Sequence, residues 1–82
     1  MSLRDDVIMY IRTNILRDPN IALGPEDSLI DAGLLDSVGL TSLISFLEST
    51  TGVRIPDDAV IPENFERASS IEALVKRLRQ GG

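Results

Sequence analysis

The chain has no cysteine and no histidine. Without cysteine, no disulfide can staple it and no thiol of its own can react. Without histidine, it lacks the side chain best suited to proton transfer near neutral pH. Ser-His and Cys-His nucleophile pairs and the usual zinc sites go with it. No paired-carboxylate constellation takes their place, so the sequence predicts a protein that is not an enzyme and holds no metal. Positive charge is also scarce: eight basic residues stand against thirteen acidic ones, a net charge of −5. The arginines are scattered, which argues against nucleic acid and favours solubility and basic partner surfaces. No apolar run approaches the ~20 residues that a membrane span needs. The first residues carry Arg4, Asp5 and Asp6 rather than a signal-peptide core, so a cytoplasmic protein is expected.

What remains is small and helical. Eighty-two residues make a single domain over 1–82. Its ordered core is expected over about 3–79, with a frayed Gly81-Gly82 tail. Leu3, Val7, Ile8, Ile11, Ile15 and Leu16 recur at three- and four-residue spacing and predict a first helix over 3–16. Ser2 and Asp5 form a capping pair, and Pro19 ends the region. A long connection over 17–35 follows, broken by Asn20, Gly24 and Pro25. Its Leu29, with Leu34 or Leu35, is expected to cover the core. The second helix is predicted over 37–51, with Leu40, Leu43, Ile44 and Leu47 as its stripe, Asp36 as N-cap and Gly52 as the terminating glycine. Residues 53–56 read as extended, and 62–66 as a short helix opened by Pro62. Ser69 and Glu72 fit a capping box for a last helix striped by Ile71, Leu74, Val75 and Leu78. The fold class is therefore all-α: a small four-helix bundle of three main helices and one short one, with a long first loop.

One segment invites chemistry. In Leu29-Ile30-Asp31-Ala32-Gly33-Leu34-Leu35-Asp36-Ser37-Val38, a serine follows an aspartate at the mouth of the second helix. A hydroxyl there lies beside the positive end of a helix dipole, a favourable place for a phosphate. On these residues alone, Asp36 is a cap and Ser37 an ordinary first-turn residue. The wider segment, however, resembles the signature of acyl carrier proteins and related carrier domains. The Leu43–Leu47 stripe, Gly52, Ile55-Pro56-Asp57-Asp58 and the last helix follow that family in order, so the resemblance covers nearly the whole chain. Asp27-Ser28-Leu29 is a second Asp-Ser-apolar triplet, but no long helix opens there, and Gly33 would sit poorly inside one.

The resemblance implies that Ser37 carries covalent 4′-phosphopantetheine, moved from coenzyme A by a phosphopantetheinyl transferase. It implies an acyl thioester cargo presented to a loading ligase and downstream acyl-processing enzymes, from a monomeric carrier. Contacts with the transferase or other partners are expected at Asp36, Val38, Gly39, Thr41, Ser42, Ser45, Glu48, Val60 and Ile61. The exposed face of the second helix departs from carriers of bacterial fatty acid synthesis, because Glu48 is its single acid. Gly39 is a poor helix former that leaves space for a partner to approach closely, or is merely tolerated near a helix start. These departures point to a specialised lipid or secondary-metabolite pathway. The 33–39 stretch also resembles D-alanyl carriers, so an aminoacyl or peptidyl cargo stays open, as does an unmodified helical interaction module. A folded-back cargo is expected to enter near Phe46, Leu47 and Ile55, unless Phe46 is ordinary core.

Overall fold

The computed structural model describes residues 2–18, 20–30, 33 and 35–81. The expectations resting on Pro19, Asp31, Ala32, Leu34 and Gly82 lie outside the described residues. Helix α1 spans Leu3–Tyr10, and Ser2 Oγ accepts from Asp5 N at its start, as the sequence predicts. It runs on without a break into a π-helical stretch, Ile11–Ile15, which the apolar spacing does not distinguish from α-helix. Helix α2 spans Ser37–Thr51. A 3₁₀ turn at Asp57–Ala59 and a short helix α3, Pro62–Phe65, lead to α4, Ala68–Gly81. Among the described residues there is no strand, and no helix is long and apolar enough to cross a membrane. The fold is the predicted all-α bundle of three main helices and one short one.

The core is drawn from every element. Val7, Ile8 and Ile11 of the first helix meet Leu43 and Leu47 of α2, Phe65 of α3, and Ala68, Ile71, Leu74 and Val75 of α4. Tyr10 donates to the Ser42 carbonyl at 3.2 Å and stacks on Phe46 at 4.3 Å between ring centroids. Farther along, Ile15 faces Gly39, so α1 and α2 run antiparallel, with the end of the first helix beside the start of α2.

Two expectations change at α4. It begins at Ala68, one residue early, and the Ser69–Glu72 capping box does not form. The long loop supplies the partners instead: Ser69 N donates to the Pro25 carbonyl, and Ser69 Oγ donates to Glu26 Oε1. Glu72 is drawn to α1, where it pairs with the Arg4 guanidinium at 3.1 Å. An orphan N–H at a helix start needs an acceptor, and here a neighbouring loop outcompetes the local side chain. At the other end α4 runs to Gly81.

The loop before α2 is tied down rather than free. Leu29 is fully buried, and its N–H donates to the Glu66 carbonyl at 2.7 Å. Arg67 Nε reaches the Glu26 carbonyl, and Leu35 N reaches the Leu29 carbonyl. Leu29 covers the core as predicted, with Leu35 packed partly against it. These bonds fix the approach to α2 and hence the position of its first residue.

Candidate functional site

Helix α2 starts where its residues dictate. Asp36 is in an extended conformation, and its Oδ1 accepts from Gly39 N at 2.7 Å, a side-chain N-cap. Its carbonyl takes the first intrahelical bond, from Leu40 N. Gly52 closes the helix in the left-handed conformation, at φ 73°. Between them Ser37 occupies the first helical position, exposed, where free N–H groups and the helix dipole favour negative charge. Ser28, the competing serine, sits half-buried in the loop before the buried Leu29 and opens no helix.

Two depressions flank the start of α2, and Ser37 lines the apolar one. On one side is an apolar cleft of about 360 Å³, walled by Ile30, Leu35, Leu40, Val60, Ile61 and Phe65. On the other is a more polar groove of about 460 Å³, between the end of the first helix and the start of α2. Asp36 lines both. Sequence reasoning identified Val60 and Ile61 but missed the rest of the cleft wall. It also missed the groove residues Asn14 and Arg17, because neither depression follows a periodic pattern.

The candidate contact residues divide by exposure. Val38, beside the polar groove, is 76% exposed, while Ile61 and Ile30, which line the apolar cleft, are 41% and 37% exposed. Thr41 and Ser45 are exposed on α2, and Thr41 Oγ1 bonds back to the Ser37 carbonyl. Val60 and Ser42 are half-buried. Gly39, by contrast, is buried: a Cβ there would lie 3.2 Å from Asp36 Oδ1 and 3.3 Å from Ile15 Cγ2. The space it leaves is filled by this chain's own first helix and is not open to a partner. Glu48 is half-buried and accepts from Ile55 N at 2.9 Å, so its carboxylate joins α2 to the segment after Gly52. The expected cargo entry near Phe46, Leu47 and Ile55 is closed. Phe46 is stacked on Tyr10, and Leu47 and Ile55 are buried core.

The chain is similar to known proteins in sequence and fold. The family model for the phosphopantetheine attachment site matches residues 7–78. The chain is 31% identical over 84 residues to the probable acyl carrier protein PigG of Serratia sp. (strain ATCC 39006), covering 98% of this chain and 97% of that one. It is 30% identical over 79 residues to the D-alanyl carrier protein of Streptococcus sanguinis (strain SK36), covering 96% and 98% respectively. A crystal structure of an FAD-dependent dehydrogenase contains a chain that superimposes with a TM-score of 0.76 at 30% identity, covering 84% of this chain and 97% of that one. With its fold and nearly its whole length accounted for, the chain belongs to the phosphopantetheine-binding carrier family, non-catalytic proteins whose cofactor is covalently attached 4′-phosphopantetheine.

Proposed function

We propose that Ser37 Oγ is the attachment point of the arm, and that the chain carries an acyl intermediate between enzymes of a specialised lipid or secondary-metabolite pathway. The observation that carries this reading is the exposed Ser37 hydroxyl at the first position of α2, lining the apolar cleft and next to the polar groove. The arm supplies the thiol that this chain lacks, on which the cargo is held as a thioester. The chain also lacks a histidine base for the serine, so a phosphopantetheinyl transferase activates the hydroxyl. Asp36 fixes the backbone at Ser37 through its cap and offers a carboxylate beside the hydroxyl for the transferase to use. Val38, Thr41, Ser45 and Ile61 then form the accessible contact surface for the transferase, the loading ligase and the acyl-processing enzymes. Tethering raises the cargo's local concentration at each of their sites.

The packing bears on the cargo. Leu43, Leu47 and Phe65 fill the interior beneath α2. The apolar cleft beside Ser37 lies at the surface, which suits a compact apolar group better than a long internal chain. An aminoacyl cargo is the second reading, because the streptococcal D-alanyl carriers match this chain about as well as PigG does. The superimposed chain from the dehydrogenase structure is of carrier size, which favours a flavin-dependent oxidation of the bound cargo as one processing step.

Intact mass tests the reading. After incubation with coenzyme A, magnesium and a promiscuous transferase, the protein should gain one phosphopantetheinyl group, and a folded Ser37→Ala should gain none. Loading of that variant would place the arm elsewhere. No gain by the folded wild type with an active transferase would leave two readings: a carrier that needs its own dedicated transferase, or the unmodified interaction module.

A further inference from the structure

Arg17 has a φ of +55°, the one positive value among the described non-glycine residues. This conformation after a helix normally falls to glycine or asparagine, since a Cβ crowds the neighbouring carbonyl. Two wide backbone bonds hold the turn, Leu16 N to Ile11 O and Asp18 N to Arg12 O, both 2.8 Å. An arginine thus stands where glycine would be easier to accommodate. It is exposed and makes no hydrogen bond or ion pair among the described residues. Its surroundings are specific: it lines the polar groove with Asn14, Asp36, Val38 and Ser42. Asp36 and Val38 are the chain neighbours of Ser37, so the groove lies next to the attachment point, while Ser37 itself lines the apolar cleft.

The inference rests on the reading that Ser37 carries the arm. That arm is joined through a phosphodiester, which places a negative charge beside the Asp36 carboxylate. The start of α2 offsets part of the repulsion. A guanidinium in the same groove offsets more, and its fork of N–H donors matches two phosphate oxygens. Asn14, whose side-chain nitrogen donates to Thr13 Oγ1 and whose amide oxygen can accept, and Ser42 also line the groove, where an amide-rich chain finds hydrogen-bonding partners. The cleft that Ser37 lines is mainly apolar and suits the arm less well.

We propose that Arg17 is a positioning residue for the arm: it pairs with the phosphodiester and lays the arm into the groove between the first helix and α2. The apolar cleft is thereby left free for cargo or partner. An exposed pair of this kind biases the arm rather than locking it.

The test compares ¹H–¹⁵N spectra of the unloaded and loaded protein, each verified by mass, for wild type, Arg17→Gln, Arg17→Lys and Arg17→Gly. In wild type, loading should shift the amides of Asn14, Gly33 and Ser42 more than those of Ile30, Leu40 and Ile61. In loaded Arg17→Gln the groove shifts should be lost, and in Arg17→Lys, which keeps the charge without the fork, only partly restored, while the Ser37 and Val38 shifts persist in both. Arg17→Gly relieves the left-handed backbone, so the unloaded protein should melt a few degrees higher and still lose the groove shifts on loading. That combination separates positioning from a structural role. Shifts confined to Ser37, Val38 and the cleft, or groove shifts that survive Arg17→Gln, overturn the proposal. Failure of the wild type to load, with a dedicated transferase as well as a promiscuous one, would overturn both this inference and the attachment reading.

Discussion

At the residue scale, Asp36 performs two tasks that substitution separates. Its Oδ1 caps α2 through Gly39 N, and its carboxylate lies next to Ser37. Asparagine keeps an acceptor at that position, whereas alanine leaves a first-turn N–H without one. Asp36→Ala should therefore lose about 1 kcal/mol of stability, read from urea unfolding, and Asp36→Asn only a small part of that. If the charge also serves the transferase, Asp36→Asn loads more slowly at nearly unchanged stability. Equal loading rates for aspartate and asparagine would reduce Asp36 to a cap. Gly39 shows why single residues mislead at sequence level. Its composition suggests open space at the helix surface, yet Ile15 and Asp36 occupy that space. A glycine's neighbours belong to the tertiary structure, and no local pattern encodes them.

At the scale of the element, α2 was the most legible part of the chain. Its cap, stripe and terminating glycine are local signals, and they agree with one another. The start of α4 was less legible, because the Ser69–Glu72 spacing fits a capping box while Pro25, Glu26 and Arg4 claim those groups. The exposed face of α2 has a further consequence. Glu48 is the one charged residue between Ser37 and Thr51, and its carboxylate is engaged by Ile55 N. If partners dock through Val38, Thr41, Ser45 and Ile61 as proposed, association draws on apolar and neutral contacts, which salt screens little. Val38→Glu should leave the unfolding midpoint almost unchanged, since the side chain is solvated, and slow cargo transfer to a processing enzyme. Transfer by the wild type should change little as ionic strength rises. A large loss of stability in Val38→Glu, or steep salt dependence of transfer, would contradict this account of the face.

For the whole molecule, what the sequence left illegible was how the connection over 17–35 sits on the bundle. The periodicity of Leu29, Ile30 and Leu35 is too short to assign them to any element, although their apolar character marks them for burial. Their destinations depend on α3 and α4, which lie far along the sequence. Both depressions beside Ser37 arise in the same way: Ile30 and Leu35 form one wall of the cleft, and Gly33 borders the groove. The loop is thus part of the site, and its anchor is Leu29, buried and bonded to the Glu66 carbonyl. A domain of this size has roughly 4–12 kcal/mol of total stability. Leu29→Ala removes a fully buried side chain and should cost about 2–5 kcal/mol, a large share of that total. The backbone bond to Glu66 does not compensate, because it needs the side chain to hold the loop in place. The variant should lower the melting temperature sharply. At a temperature where it is still folded, amide exchange over residues 25–35 should rise more than in α1 or α4. Loading at Ser37 should then slow as well, since the approach to α2 is no longer fixed. Exchange that rises evenly across all helices would mean that Leu29 stabilises the bundle as a whole and that α2 keeps its start without the loop.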